Sequence, residues 1–495
     1  MKESIQHVSE QIAAFLSNAN EPAVVEPGHE PIPLSPGAYN IDLAGERLFF
    51  EAWTRDRSLS RRITGVVEVR QNRLQLSIEK FGKRQGVLEL VDLAGPRSAG
   101  ITRRASRQTY REQFRRSLLR QFPGWRVAEL STETDLEHSL SPAYPRAALR
   151  KGAALYAAIG CPPDATDVEG VLTFGLIWLD YLRARETKLT VQGLAVFVPA
   201  GRHRSTCLRL LHLRSDRVEW SAFVYTDRTE DRADIRDYGN IDTVLHCRST
   251  APDSEQAWWT RQLSKVTFVT EREEPGGRVS FTVNGLEFAR WQPGTGLIFG
   301  VETKYKGCES NLPEIEALAR ELHSFRSAAA ADCCSPLYLK KPELWLESQV
   351  RSALPSIDAS LDTEPVYRQA PSFAGGERSV LDLLAVDHAG SLAVVEVKAS
   401  EDLHLPLQAL DYWIRVRWHA LRGDFSRSGY FPGKALQPVP PRLLLVAPAL
   451  CFHPTTEALV EYLLPEAHVD IIGLGMDWRN RVKVMFRRTR AVRPS

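Results

Sequence analysis

No stretch of the chain approaches the ~18 consecutive apolar residues of a membrane-spanning helix, and the polar N-terminus, Met1 to Leu16, has no long apolar segment of the secretory kind. No membrane partner is expected, and the expected compartment is the cytoplasm. Cysteine is scarce: Cys161, Cys207, Cys247, Cys308, Cys333, Cys334 and Cys451 form an odd, scattered set of seven with no C-x-x-C. That pattern fits reduced thiols better than a disulfide framework or a zinc site. His203, His212 and His246 lack metal-ligand spacing. A Walker A lysine loop is missing, so no intrinsic motor is expected. Neither sign of charge dominates, since 63 Lys and Arg stand against 61 Asp and Glu, a net charge of +2. Any affinity for nucleic acid must come from local patches rather than from the overall field.

What is present is an ordinary globular composition, 43% apolar and 25% charged over 495 residues, enough for two or three domains. An amphipathic helix opens the chain. Residues 18–36 (NANEPAVVEPGHEPIPLSP) are rich in Pro and acids and read as a linker or extended arm. Short β-like runs separated by polar turns follow between about 44 and 93, at Leu48-Phe49-Phe50, Ile63 to Val69, Leu74 to Ile78 and Val87 to Val91, which predicts an antiparallel sheet. Helices are expected at Ser106 to Gln121, Leu172 to Arg183 and Leu312 to Phe325, with strands at Leu194 to Val198, Arg217 to Tyr225, Val279 to Val283 and Leu297 to Val301. The division is therefore 1–37 (helix and Pro-rich linker), 38–330 (mixed α and β, of unassigned fold, for nucleic-acid binding or sensing) and 331–495.

The last third carries the chemistry. Its predicted elements run helix (Pro342 to Leu354), strand (Val366 to Gln369), strand (Val380 to Val386), strand (Ser391 to Val397), helix (Leu405 to Leu421), strand (Arg442 to Val446), helix (Thr456 to Leu463) and strand (Val469 to Ile472). Ala389-Gly390 closes a hairpin between the second and third strands. Glu396 and Lys398, two apart on a strand, project from one face. Asp382 on the neighbouring strand can meet them. Two carboxylates and an ammonium then converge. Carboxylate oxygens suit Mg²⁺, which usually keeps several waters and can polarise a phosphodiester and acidify its water. Lys398 can orient or help deprotonate that water.

Asp382 together with Glu396-Val397-Lys398 resembles the hairpin acid and E-x-K element of the PD-(D/E)XK nuclease superfamily, with Leu381 standing where the name-giving proline would be. Gln408-Ala409-Leu410-Asp411-Tyr412 resembles the Q-x-x-x-Y motif of the RecB-like branch. The resemblance covers about 150 residues. It implies an α/β fold with a restriction-endonuclease-like αβββαβ core, behind a mixed α+β N-terminal region. It also implies hydrolysis of DNA by in-line attack of water, leaving a 5′-phosphate and a 3′-hydroxyl. The catalytic set would be Asp382, Glu396, Lys398, Gln408 and Tyr412. Mg²⁺ or Mn²⁺ would be held by Asp382, Glu396, Val397 and Glu347. An iron–sulfur cluster is not expected, since only Cys451 lies downstream.

Several readings stay open on the residues alone. Glu347 either ligates metal or pairs with Arg351 at i+4. Tyr412 is either a cleft residue or core. Leu407, Leu410, Ile414, Trp418 and Leu421 form a stripe expected to pack on the sheet, with Gln408, Tyr412, Arg415 and His419 beside it and facing the cleft, Arg415 being a candidate nucleic-acid contact. Arg104, Arg107, Arg111 and Arg115 form a basic stripe with Tyr110, Phe114, Phe122 and Trp125 interleaved. They either track a phosphate backbone or pair with Glu129, Glu133 and Asp135. DNA is the expected partner, RNA is not excluded, and a homo-oligomer or protein partner is left open. An effector of prokaryotic antiviral defence or a DNA-repair enzyme would suit the architecture. The rival class is a nucleic-acid-binding or scaffold protein with an idle nuclease fold.

Overall fold

The protein is described from a computed structural model, which covers residues 5–490 apart from 27–31, 36, 45–46, 54–57, 71–72, 81–83, 94–97, 164, 166, 217, 227–228, 240–244, 246–253, 275–276 and 369–381. The chain folds as mixed α and β in two units. One comprises Met1–Trp178, Leu182–Pro199 and Phe223–Asp231; the other comprises Leu179–Tyr181, Ala200–Ala222 and Arg232–Ser495. Among the described residues no helix is long and apolar enough to cross a membrane.

In the first unit, the helix Ile5–Asn18 buries Val8, Ile12 and Leu16, one stripe at i, i+4 and i+8. They enter the core of a seven-stranded antiparallel sheet with Leu48, Phe50, Leu74, Leu76 and Leu88. The sheet matches the expected runs. The Pro-rich segment does not behave as a free linker, however: Pro22–Val25 pairs with Arg84–Asp92, and Ile32–Pro33 pairs with Pro22–Val25 at the sheet edge. The apolar triplet Ala23-Val24-Val25 explains this, because burying it outweighs the polar composition around it. Proline is tolerated at such edge and first-strand positions. A second, six-stranded sheet is mixed, with Ala154–Gly160 parallel to Thr190–Pro199. The helix Ser98–Gln121 buries Tyr110, Phe114 and Leu118 in the core of that sheet.

The second unit holds a five-stranded antiparallel sheet and a six-stranded mixed one. The five-stranded sheet runs from Val269–Glu274 at one edge to Tyr305–Lys306 at the other. Its turn Asn284-Gly285 has left-handed backbone at both residues (φ 46° and 76°), the signature of a tight hairpin. A Cβ at position 285 would stand 2.0 Å from the carbonyl oxygen of Leu344. Only glycine allows the turn to approach the helix Pro342–Ser352 this closely. Gln349 Nε2 on that helix donates to Asn284 Oδ1 at 3.1 Å.

The six-stranded sheet follows the order Tyr367–Arg368, Leu383–Val386, Leu392–Val397, Arg442–Pro448, Val469–Leu474, Val484–Thr489. The first three strands form an antiparallel meander. The third, fourth and fifth are parallel, and the last returns antiparallel. The helices Leu405–Arg422 and Thr456–Glu461 make the two crossovers. Gly390 sits in the hairpin turn at φ 88°, where a Cβ would meet the carbonyl oxygen of Ala435 at 2.1 Å. The helix Pro342–Ser352 drives Trp345, Leu346 and Val350 into the core with Val395, Leu444 and Ile472, each worth about 1.5–3 kcal/mol of burial. It ends two residues earlier than expected, because Pro355 starts a separate turn, Leu354–Ile357. The final strand, VMFRRT, is half polar and mostly exposed, and was not expected from the sequence.

At the N-terminal ends of the parallel strands, Arg442 bonds Asp358 (2.6 Å) and Asp470 (2.9 Å), and Arg487 adds a bond to Asp358 (3.1 Å). The opposite, C-terminal ends carry the acidic residues described next.

Candidate active site

The hairpin register pairs Leu383 with Val395, so Asp382, one residue before the strand, falls opposite Glu396. Asp382 Oδ2 accepts the backbone N–H of Val397 at 2.8 Å. Glu396 lies in a strand in which all six residues are buried, and is itself only 3% exposed. Among the described residues its Oε2 has no hydrogen-bond partner. Two carboxyls thus share a dry place. Burial, and then the Glu347 carboxylate, push the Asp382 acid up to about 7. Burial, and then Asp382, push Glu396 well above the usual carboxylate range. An orphaned buried carboxylate oxygen beside a second carboxylate is costly without a cation.

Lys398 follows in the same strand direction, its backbone N–H bonded to Val446 at 3.0 Å. Burial alone would lower its pKa, but Glu396, Glu343 and Asp402 together raise it. Its Nζ stands 3.3 Å from Asp402 Oδ2. The ammonium is therefore held charged, a donor and counter-charge rather than a base.

Glu347 projects from the helix Pro342–Ser352 and is buried. Its carboxylate is forked by Arg368, not by Arg351. It still acts electrostatically on both Asp382 and Glu396. Gln408 is half-buried and Tyr412 is 7% exposed. Burial and the nearby Glu396 and Asp382 keep the Tyr412 phenol un-ionised. Core and site are therefore not alternatives for this tyrosine, whose buried ring lies within electrostatic range of both acids. Arg415 is buried and donates to the Asp411 carbonyl at 3.1 Å. His419 belongs to the helix end, bonding Asp424 at 2.8 Å and packing on Phe425. The expected apolar stripe holds through Leu407, Leu410 and Ile414 but not at Leu421, which is 47% exposed.

Sequence reasoning missed three charged neighbours. Glu343 is exposed and one turn before Glu347, so the i, i+4 spacing signalled a shared face. Asp402 is likewise four residues after Lys398. Arg368 had no such signal, since its pairing is made across the fold.

Among the described residues, no three or more His, Cys, Asp or Glu side chains stand together as a metal-holding group. Asp382, Glu396 and the Val397 carbonyl form a smaller donor set. It suits an ion that is bound through one or two carboxylates and keeps its waters.

In the first unit, Arg107 and Arg115 are exposed on the helix Ser98–Gln121, while Arg111 bonds the Leu130 carbonyl at 3.4 Å and pairs with Glu112 at 3.5 Å. The side chain of Arg104 lies outside the described residues. Tyr110 and Phe114 are core residues rather than a stacking platform, 4% and 1% exposed. Two of the three acids suggested as partners are engaged elsewhere: Glu129 with Arg185 and Asp135 with His138.

No protein-family model matches the chain, and no curated protein matches it.

Proposed function

We propose that this chain is a metal-dependent nuclease of the PD-(D/E)XK type, acting on DNA, with a restriction-endonuclease-like core in residues 331–495. The carrying observation is the Asp382–Glu396 pair: two carboxyls opposed across one hairpin, Glu396 buried and Asp382 half-buried, with an unpartnered Oε2 on Glu396. A cation between them would relieve the repulsion and desolvation that the pair otherwise meets by holding a proton. The order of elements also supports the reading: a helix, an antiparallel meander of three strands, a crossover helix, then a parallel fourth strand beside the third.

Mg²⁺ or Mn²⁺, held by Asp382, Glu396 and the Val397 carbonyl, would supply Lewis acidity to a scissile phosphodiester and acidify a water. The chain's own residues do the rest. Lys398 holds a proton on Nζ and offers it to the attacked phosphate or the incoming water as a hydrogen bond. Tyr412, protonated, presents a neutral donor beside the acids. Gln408, half-exposed on the same helix one turn earlier, orients the strand. Glu347 is spoken for by Arg368 and contributes as a charge near the pair rather than as a free ligand.

A second reading has its own observation. With Glu347 forked by Arg368, the site offers two carboxylates, which favours an idle nuclease fold that binds nucleic acid without cutting it. One experiment separates the two. The full-length protein is incubated with single- and double-stranded DNA and RNA, with and without Mg²⁺, alongside Asp382→Ala and Glu396→Ala. Mg²⁺-dependent cleavage lost in both variants supports the nuclease. Binding without cleavage by the wild type supports the idle fold. Cleavage of RNA alone would move the substrate class. An assignment to defence or repair rests on architecture alone and follows only if cleavage is found.

A further inference from the structure

A cleft of about 660 Å³ opens within the second unit, between the edge strand Val269–Glu274, the helix Pro342–Ser352 and residues 363–368. That size lies in the range of small-ligand sites, about 300–1,000 Å³. We infer that this cleft binds a phosphate-bearing ligand, either a free nucleotide or the backbone of a nucleic-acid strand, through Arg272 and Arg351, with Arg368 adding positive charge beside them.

Three guanidiniums from three different elements line one cleft. Arg272 is 9% exposed, and among the described residues its Nε has no hydrogen-bond partner. Its Nε is ion-paired with Glu274 Oε1 at 3.6 Å, too long for a hydrogen bond, and that oxygen accepts the hydroxyl of Ser280. Burial, and then repulsion from Arg368, disfavour the charge on Arg272, only partly offset by Glu274, Glu347 and Glu287. The same two causes act in the same order on Arg351. Cations crowded together and pulled from water are relieved by an anion that bonds several at once. Guanidiniums suit phosphate because they present paired donors in one plane.

The acids around the cleft leave room for that anion. Glu271 and Glu273, which also border the cleft, alternate with Arg272 along the strand; Glu271 is engaged by Thr260 at 3.2 Å, while Glu274 shares the face of Arg272 and is bonded by Ser280. Glu364 is exposed. Glu347 is committed to Arg368, so Arg272 and Arg351 carry the unspent donors. The Ser348 and Thr363 hydroxyls also line the cleft and are suited to phosphate oxygens.

Equilibrium dialysis of the full-length protein in EDTA, against ATP and separately against a ten-nucleotide dT strand, tests the inference. Chelation makes binding independent of whether the protein cleaves. Saturable binding of at least one probe is expected, with Kd raised tenfold or more in Arg351→Gln and in Arg272→Gln. ATP binding alone identifies a free nucleotide, and strand binding alone identifies a nucleic-acid backbone. Arg351 is the decisive position because it is half-exposed and its removal relieves repulsion, so its variant should melt no lower than wild type. Should Arg351→Gln nevertheless fail to fold, Arg351→Lys asks the same question, because it keeps the charge and loses the fork. Absence of saturable binding by both probes, or unchanged affinity in the Arg351 variant, would overturn the site.

Discussion

Replacing Asp382 by Asn should make the metal-free protein more stable, not less. In the folded chain the Asp382 acid is pushed up to about 7 by burial and by Glu347, against about 3.9 in the unfolded chain. A raised acid pKa means the folded state favours the protonated form. Stability is then fully present below pH ~4 and is lost as pH rises towards 7. At about 1.4 kcal/mol per pH unit, the ionised folded state carries a penalty of about 4 kcal/mol at pH 8. Asn removes the charge but can still accept the Val397 N–H; weakening that charge-assisted bond returns about 1 kcal/mol. The expected net gain is about 2–3 kcal/mol, or a few degrees in Tm for a unit of this size. The assay is thermal denaturation in EDTA between pH 5 and 8.5. Wild-type Tm should fall more steeply with rising pH than that of Asp382→Asn, in which only the buried Glu396 still titrates, the curves diverging between pH ~5 and ~7 and running parallel above. Added Mn²⁺ should reverse the order, raising the wild type and leaving the variant unmoved. An Asp382→Asn protein less stable than wild type at pH 8 in EDTA would show that the carboxylate is a structural hydrogen-bonding group, and the case for a cation site would go with it.

Three further outcomes are expected. Lys398→Ala should cut cleavage by about a hundredfold or more while leaving the Mn²⁺ dissociation constant unchanged; a calorimetric titration that moves with the lysine would make it part of the ion site instead. Gln408→Ala and Tyr412→Phe should each slow turnover, by about tenfold to a hundredfold, without altering the metal concentration for half-maximal rate. Because Tyr412 is buried, Tyr412→Ala should also lower Tm, and a fully active Tyr412→Phe would reduce the residue to packing. At the other end of the sheet, burial would raise the Asp358 acid, but bonds from Ser360 and Arg442 hold it well below the usual range. Its stabilisation is present above pH ~4 and lost as pH falls through the depressed value. Asp358→Asn should cost about 3 kcal/mol at pH 7, and the Tm gap to wild type should narrow below pH ~4.

The Asp382–Glu396–Lys398 grouping was legible in the sequence because strand periodicity and a short hairpin turn fix it locally. Alternation puts Glu396 and Lys398 on one face, and the hairpin brings Asp382 opposite. Helices with a clean apolar stripe, such as Leu312–Phe325, are found where expected. What escaped depends on the rest of the molecule. Arg368 meets Glu347 through tertiary placement, and no spacing announces it. Val484–Thr489 is a strand because Val469–Leu474 presents an open edge, not because VMFRRT is apolar. Pro22–Val25 looked like a linker by composition, yet three small apolar residues were enough to join a sheet. Tyr110 and Phe114 looked available beside a basic stripe, and are instead what fastens that helix to its sheet.

The helix Arg204–Leu211 belongs to the second unit although its sequence lies far upstream. Its buried Arg209 forks Asp411, between Gln408 and Tyr412, with Nε and Nη2 at 3.0 and 2.7 Å from the carboxylate oxygens. Leu213 bridges to Leu463, and His212 packs edge-on against Trp413. During biosynthesis this segment emerges 202 residues before its carboxylate partner. At translation rates of about 5–20 residues per second, the guanidinium waits about 10–40 s before Asp411 exists. The second unit cannot close until nearly the whole chain has been made. A fragment starting near 331 would expose Asp411, Trp413 and Leu463 where this segment should cover them. The nascent chain thus passes through a long interval with the Gln408–Tyr412 helix unmade and its upstream partner uncovered, a window in which chaperone binding or aggregation competes with folding.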